Sequence, residues 1–474
     1  MKDIEVNIKL FPELFSNKTR IIIPEYQRPY VWGKDKTEEL LEDFKEFFLD
    51  THSAKPYYLG TVLFFYDRRN ATYEIIDGQQ RITTLLILQQ TLNNALPENR
   101  NVEFSSHQSI KYIKEAQAFF KGNIELLEKL NKVNFLDRLN FTLIVTHSED
   151  DAFTFFDTQN NRGIKLSASD FLKAYHLRAI DSEYLQEDCA IDWETESAKN
   201  VEGPFLNFLF DKILWRSRNW KGQHQIYFEN KDFILQTFQK NSLKSEQGDG
   251  YPLYSNFFNR KSVNQSWQHD GTLVSVPTFE NGNAVTQLPF TLRQPIYKGI
   301  NFFKYTAKYS AIFDLLFISN TSEEIEVKQT KAFYNSVYNH DMSIYLRHFM
   351  QLCLVAYYDS FGKQNLLDAA LCFDYLFGAL RLERQQVKRE AAPKCLKQNN
   401  NLLDVIANAY LPKEIFDFVY KGDLKFDKKS CKEIYEEEEV ETGTGVRGRY
   451  KERVLNYFNK SDENLNNRKE WNKF

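Results

Sequence analysis

Hydrophobic and polar positions switch between two spacings over residues 1–185. Segments 20–24 (RIIIP), 57–66 (YYLGTVLFFY), 73–76 (YEII) and 141–145 (FTLIV) are short runs rich in β-branched and aromatic residues, a composition that predicts strands. Residues 36–49 place Leu40, Leu41, Phe44, Phe47 and Phe48 on one helical face, with acids and lysines opposite. A longer apolar period over 80–92 follows the turn Asp77-Gly78, and 148–158 predicts a further helix. Ser167 or Ser169 suits the cap of a helix carrying Phe171, Leu172, Tyr175 and Leu177. The start, residues 1–10, mixes charged and apolar side chains and lacks a signal-peptide core.

The pattern then loosens. Residues 241–299 hold clusters of Gly, Asn, Ser and Gln with few sustained periods, which predicts a long excursion with some short strands. From 301 onward the pattern is helical, over 302–317, 324–338, 343–358, 366–381 and 402–410. The expected fold class is α+β: a mixed domain over 1–185, an irregular connection over 186–300, a mainly α-helical domain over 301–425 and a charged tail over 426–474. Glu436 to Glu439 followed by Arg447, Arg449, Lys451 and Arg453 predict that this tail is solvated or partly disordered, with a partner-binding arm as the alternative.

Three segments have the makings of chemistry. The first is Ile76-Asp77-Gly78-Gln79-Gln80-Arg81-Ile82-Thr83-Thr84, set between a predicted strand and a predicted helix. Gly78 allows a sharp turn, the following N–H groups lie at a helix N-terminus that attracts phosphate, and Arg81 adds a planar cationic fork. Thr83 and Thr84 offer hydroxyls, and Asp77 is a candidate to hold a divalent cation or orient a water. An Asp that caps the helix and an Arg that makes a salt bridge would also account for the turn. The second segment, Pro24-Glu25-Tyr26-Gln27-Arg28-Pro29-Tyr30-Val31-Trp32, is stiffened by two prolines and can present Gln27 and Arg28 to a ligand, with Tyr30 and Trp32 read as core contacts. The third, 156–174, carries Asn160 and Arg162 in a loop where Asn161 and Gly163 suit left-handed backbone, so that Asn160 and Arg162 can reach back to a phosphate or a base.

Composition narrows the classes. Lys and Arg number 61 against 65 Asp and Glu, a net charge of −4, so a generally basic DNA-coating protein is excluded and any basic footprint is local. Arg216, Arg218 and Lys221 in the segment WRSRNWK form one such cluster, which fits nucleic-acid phosphates about as well as it fits a buried aromatic helix end with Arg stems lying along it. Arg447 to Arg453 form another. Five cysteines, with no C-x-x-C pair, argue against a disulfide framework and a zinc site and for a reducing, cytoplasmic setting. No run approaches the ~18 apolar residues of a membrane-spanning helix.

Taken together, the three segments resemble the N-terminal domain of the GmrSD-type restriction endonucleases, which has a ParB/sulfiredoxin-like fold. The family's P-x-Y-Q-R-P-Y-x-W, D-G-Q-Q-R-x-T-T-L and N-x-R-G-x-x-L-S-x-x-D-L-L-K-A patterns correspond to residues 24–32, 77–85 and 160–174, with Ile82 and Phe171 as mild departures. The resemblance covers roughly the first 180 residues. It implies that Asp77, Gly78, Gln79, Gln80 and Arg81 form a nucleoside triphosphate site, catalytic in Asp77, Gln79, Gln80 and Arg81. Gln27, Arg28, Thr83, Thr84, Asn160 and Arg162 would complete the binding site, and Asp77 would hold Mg2+. ATP, GTP, CTP and UTP are not distinguished. Family members usually end in an H-N-H-type nuclease domain, but residues 349–474 contain no histidine, and His340 and His348 read as ordinary helix residues.

The expected function is a triphosphatase component of a bacterial anti-phage defence or restriction system, acting on or regulated by foreign DNA, with cleavage supplied by a separate nuclease subunit. Self-association is left open and no membrane is expected. The alternatives are a nucleotide-gated DNA-binding switch of ParB type with little turnover, and a self-contained nuclease with a cryptic site.

Overall fold

The computed structural model describes residues 4–15, 20–24, 27, 29–51, 53–68, 70–93, 107–148, 167–222, 228–244, 254, 263–277, 285–320, 322–340, 342–398, 400–422, 424–426, 428–460 and 464–471. The chain divides into two compact units, Met1–Ala198 and Lys199–Phe474. The class is α+β, a five-stranded mixed sheet followed by a mainly helical region.

In the first unit the sheet consists of β1 (Ile4–Leu10), β2 (Arg20–Ile22), β3 (Tyr57–Asp67), β4 (Thr72–Asp77) and β5 (Leu139–Thr146), in the order β1-β5-β3-β4-β2. β1 and β5 are antiparallel, as are β3 and β4, while β3 pairs with β5 and β4 with β2 in parallel. One face is packed. Helix α1 (Lys34–Lys45) buries Leu41 and Phe44, and the rings of Phe44, Phe47 and Phe48 gather around Tyr57 at centroid distances of 5.5, 5.0 and 6.2 Å. Helix α2 (Gln79–Asn93) is buried on nearly every side, from Ile82 through Leu88, and α3 (His107–Gly122) and α4 (Ile124–Lys132) close over the same core. The helices at 36–49 and 80–92 and the predicted strands lie where the periodicity put them, within a few residues. Strand β1 was not predicted. Its Ile4, Val6, Ile8 and Leu10 alternate properly, yet Val6 and Ile8 are exposed, so pairing with β5 over all seven residues holds the strand and burial does not.

Helix α5 (Ala168–Leu177) is capped by Ser167, the first of the two candidates: the Asp170 N–H donates to its hydroxyl at 3.3 Å and its own N–H donates to the Asp170 carboxylate at 2.8 Å. Helix α6 (Glu183–Ser197) follows, tied to α5 by a Lys173–Glu194 ion pair at 2.7 Å. The helix expected over 148–158 lies almost wholly outside the described residues.

The second unit is helical. Its main elements are α7 (Phe205–Phe208) running through a π-turn (Leu209–Leu214) into α8 (Trp215–Asn219), then α9 (Lys231–Leu235) and the hairpin β6 (Val263–Trp267) with β7 (Leu273–Pro277). After it come α10 (Ile300–Phe313), α11 (Ile325–Val337), α12 (Ile344–Phe361), α13 (Leu366–Glu383), α14 (Ala391–Gln398), α15 (Leu402–Asn408) and α16 (Pro412–Lys421). Helices α12 and α13 are buried along almost their whole length. Among the described residues no helix is long and apolar enough to cross a membrane.

The segment after Lys421, expected to be a solvated or partly disordered tail, is instead folded. It forms a short ribbon of β8 (Lys425–Phe426) and β9 (Lys429–Ser430), then α17 (Cys431–Glu436) and α18 (Gly445–Tyr457). The reason is a charge that sequence patterning places on the wrong side of the water line. Asp374 on α13 is fully buried and accepts hydrogen bonds from Tyr338 at 2.9 Å, Tyr450 at 3.1 Å and Arg468 at 2.8 Å, and Arg468 is itself fully buried against the rings of Phe458 and Trp471. Burial and the Asp374 carboxylate push both phenols well above their ordinary pKa, so they stay protonated donors. Gly378, one turn on, is a glycine because a Cβ there would overlap the Tyr450 hydroxyl.

A second buried carboxylate, Glu229, receives Lys212 at 2.6 Å, Arg216 at 2.8 Å and Arg389 at 3.2 Å. Burial alone would raise its pKa, but the hydrogen bonds and charge of Arg216 and Lys212 outweigh it and hold the carboxyl at about 2.

Removing Arg468 leaves a buried carboxylate without its cation, so Arg468→Ala is expected to cost about 3–5 kcal/mol in urea unfolding, and Asp374→Asn with Arg468→Met to recover most of that loss. Glu229 has a folded pKa below its ordinary 4.5, so its contribution is present above that value and is lost as pH falls toward 2. Urea midpoints taken down this window should drop by an amount equivalent to about 3 kcal/mol that Glu229→Gln does not show.

Candidate functional site

Strand β4 ends at Asp77 and α2 begins at Gln79, leaving one residue to reverse direction. Gly78 does so at φ +95°, and a Cβ there would stand 2.5 Å from Cγ1 of Val62 on β3. Both facts require glycine: the left-handed backbone penalises an L side chain, and the neighbouring strand leaves no room for one. The Gly78 carbonyl accepts from the Ile82 N–H at 3.0 Å. The N–H groups of Gln79, Gln80 and Arg81 therefore lie ahead of the helical ladder and have no acceptor among the described residues. They carry the positive end of the α2 dipole.

Arg81 turns back across the sheet. Its Nη1 donates to the Leu59 carbonyl and its Nη2 to the Thr61 carbonyl, both at 2.7 Å, while Nη2 stands 3.4 Å from the Asp77 carboxylate. The carbonyls flank Gly60, where β3 shifts register against β5 and where φ is +93°. A Cβ at Gly60 would approach Arg81 Nη1 to 2.6 Å. Sequence reasoning did not select Leu59-Gly60-Thr61, although a glycine within a strand run signals a bulge or a close approach. The side chains of Asp77 and Arg81 remain 29% and 24% exposed, so both face outward at the helix start.

The proline-stiffened segment is tied to this turn. Gln27 donates through Nε2 to the Ile76 carbonyl at 2.9 Å. Gln80 accepts from the Val31 N–H at 2.9 Å and donates to the Pro29 carbonyl at 3.1 Å. Thr84 donates to the Gln80 carbonyl and takes the Tyr30 hydroxyl, each at 2.8 Å. Burial pushes the Tyr30 phenol up to about 12, so it is a fixed donor here. Tyr30 is fully buried and Trp32 packs against the core, as read from the sequence. Gln27, Gln80 and Thr84 thus hold the backbone of the site together, and their polar atoms are committed to that task.

Two polar side chains are uncommitted. Gln79 is buried, yet its amide has no hydrogen-bond partner among the described residues, and the buried Thr83 hydroxyl has none either. Arg28, Asn160 and Arg162 lie outside the described residues. Among the described residues no group of three or more His, Cys, Asp or Glu is placed to hold a metal ion. A cation here would have Asp77 as its protein carboxylate and phosphate or water for the remaining ligands.

The second candidate cluster is put to internal use. Arg216 is buried and paired with Glu229, and Arg218 donates to the carbonyls of Leu292 at 2.7 Å and Gln294 at 2.6 Å. Trp215 and Trp220 are buried, with the Arg216 guanidinium 4.7 Å from the Trp220 ring centroid. Both arginines thus have internal partners, as the reading of a buried aromatic helix end with Arg stems along it has them, whereas Lys221 is exposed. His348 is a buried helix residue bonded to Glu202 at 2.7 Å.

A model of the GmrSD restriction endonuclease N-terminal domain matches residues 11–177. A model described as a family of unknown function (DUF7834) matches residues 185–436, just over half of the chain. No curated protein matches.

Gly78→Ala is expected to cost about 2–5 kcal/mol in urea unfolding, from left-handed strain together with overpacking against Val62. Gly122→Ala, where an added Cβ meets nothing within 4 Å, is the control and should be neutral or mildly stabilising.

Proposed function

Because the chain belongs to the DUF7834 family of unknown function and its residues 11–177 are a GmrSD restriction endonuclease N-terminal domain, we propose that the turn from Asp77 to Arg81 binds and hydrolyses a Mg2+-bound nucleoside triphosphate. The activity serves a restriction or anti-phage defence system in which a partner polypeptide cuts the DNA. The observation that carries this reading is the helix start itself: three N–H groups without acceptors among the described residues, flanked by an outward carboxylate and an anchored guanidinium.

Each residue then has a distinct task. The N–H groups of Gln79, Gln80 and Arg81 receive phosphate oxygens. Arg81, already oriented by two carbonyls, presents positive charge to the phosphoryl group without having to reorganise. Asp77 is the carboxylate for Mg2+, which when bound offsets the charge of the phosphates. Gln79, whose amide has no other described partner, orients the attacking water, by analogy with glutamines that do so elsewhere. Gln80 is a positioning residue, since both ends of its amide are held by the 29–31 backbone. Arg28, Asn160 and Arg162 complete the ligand's surroundings in this proposal, and DNA regulates turnover.

A second reading, a nucleotide-gated DNA-binding switch, is favoured by one observation: Arg81 already has two carbonyls and a carboxylate as partners, so a ligand can rearrange it without chemistry following.

The test is phosphate release from ATP, GTP, CTP and UTP with Mg2+, with and without DNA. Asp77→Ala and Gln79→Ala should each lower kcat by about 10²–10³-fold while leaving the unfolding midpoint nearly unchanged. Gln80→Ala should lower stability as well, by about 1–3 kcal/mol, because it strands the Val31 N–H. Nucleotide binding without turnover would support the switch, and the absence of both in folded protein would overturn the site.

A further inference from the structure

The two edges of the five-stranded sheet are built differently. Strand β2 at one edge is three residues long, whereas β1 at the other runs for seven, Ile4–Leu10. Edge strands are commonly kept from pairing further by being short, by a proline or by a bulge. β1 has none of these. It pairs with β5 from Ile4↔Thr146 to Leu10↔Asn140 without a shift of register, and no proline interrupts it. Among the described residues no other strand adjoins its outer side. Alternate residues of β1 therefore turn their N–H and C=O groups away from β5, toward an open edge.

The side chains are open as well. Val6 and Ile8 are 61% and 73% exposed, opposite Ile144 and Thr142 of β5. Glu5, Asn7 and Lys9 project from the other face, where Glu5 lies opposite the buried Val145 and Lys9 opposite the buried Phe141. Glu5 and Asn7 are exposed and Lys9 is half-buried. Among the described residues Lys9 has no ion-pair partner, and the Glu5 carboxylate has His147 at 3.4 Å.

The strand reads Ile4-Glu5-Val6-Asn7-Ile8-Lys9-Leu10, and it complements itself when reversed. A second copy laid antiparallel about a two-fold axis at Asn7 sets Glu5 opposite the partner's Lys9, Val6 opposite the partner's Ile8 and Ile4 opposite the partner's Leu10. Every cross-strand pair then joins opposite charges, two apolar side chains or two amides. A slip of one residue sets Val6 opposite the partner's Lys9 and Glu5 opposite the partner's Leu10, and a slip of two parts Glu5 from Lys9, so the pattern specifies one register.

We propose that β1 is the contact of a homodimer, in which two copies pair through this edge and their sheets become continuous. The axis stands normal to the sheet. Val6 and Ile8 of both copies then share one face as an apolar strip, and two Glu5–Lys9 ion pairs lie on the other. A second copy fits better than an unrelated strand, because in an isologous contact one segment must satisfy both sides, and a charge pattern that changes sign about Asn7 does so. Seven residues a side is less than a standard interface, so the association is reversible, with a dissociation constant on the order of micromolar. The contact does not depend on the nucleotide reading.

Sedimentation velocity of the full chain from about 1 to 100 µM tests it, and a monomer–dimer equilibrium is expected. Lys9→Glu sets carboxylates face to face and should weaken the dimer about tenfold, and Glu5→Lys combined with Lys9→Glu should restore it to within about threefold. Glu5 and Lys9 of one copy stand about 13 Å apart along the strand, so the exchange can restore only a contact between copies. Asn7→Cys reports the register. Its two copies lie directly opposite, about 4.5–5.5 Å apart at Cα, within the span of a disulfide, and mild oxidation should give a covalent dimer on a non-reducing gel. Glu5→Cys, about 13 Å along the strand from its counterpart, should give little. The five native cysteines are all buried and leave the assay clear. A chain that stays monomeric throughout, a dimer that Lys9→Glu leaves unchanged, or crosslinking of Glu5→Cys in preference to Asn7→Cys would overturn the proposal.

Discussion

The space of a single methyl group between β3 and the start of α2 sets the geometry of the N-terminal unit. Because Gly78 has no Cβ, the chain can pass within contact of Val62 and turn through a left-handed residue directly from strand into helix. That places the α2 N-terminus at the end of β4 without an intervening loop, which in turn puts Arg81 within reach of the carbonyls on either side of Gly60. A second glycine is needed there for the complementary reason, to leave room for the guanidinium. Two positions without side chains thus bring into one small volume a carboxylate, a guanidinium and three N–H groups with no acceptor among the described residues.

The D-G-Q-Q-R turn divides its labour unevenly. Two adjacent glutamines look equivalent in the sequence, but on a helix they point about 100° apart. Gln80 faces the proline-stiffened segment and holds it by both ends of its amide, as Gln27 holds the end of β4 from the other side. Gln79 faces away from those ties and retains an uncommitted amide. The same arithmetic separates Thr84, bonded to Tyr30 and to the Gln80 carbonyl, from Thr83, whose buried hydroxyl has no partner among the described residues. The tied and the uncommitted side chains are adjacent residues on one helical turn.

The helical unit relies on buried carboxylates, each satisfied by several donors: Asp374 by two phenols and Arg468, Asp359 by Lys308, Tyr309 and a backbone N–H, and Glu229 by three cations. Each links segments distant in the chain, and a carboxylate of this kind is costly to bury unless all its partners arrive together. The C-terminal residues are ordered for this reason, since Arg468 supplies the cation that Asp374 would otherwise lack.

Local order was legible wherever one residue's preference was enough. Periodicity located the strands from β2 to β5, the helices α1, α2 and α5 and the helices from α10 to α13, because burying one face or a whole element leaves a period in the residues. The α+β order, the strained turn at Asp77-Gly78 and the capping serine at 167 were likewise readable, since glycine and serine have few reasons to stand where they do. Tertiary structure decided the rest. Edge strand β1 leaves half its apolar residues in water, so its alternation was easily passed over. Charge patterning read the residues after 421 as a solvated or partly disordered tail and left Arg216 open between nucleic-acid phosphates and a buried helix end, whereas Arg468 is buried against the Asp374 carboxylate and Arg216 against that of Glu229. The sequence determined what each segment prefers and which side chains are available. Which glutamine supports and which is free, and which cations are spent internally, depends on partners far apart in the chain, and only the folded chain brings them within hydrogen-bonding distance.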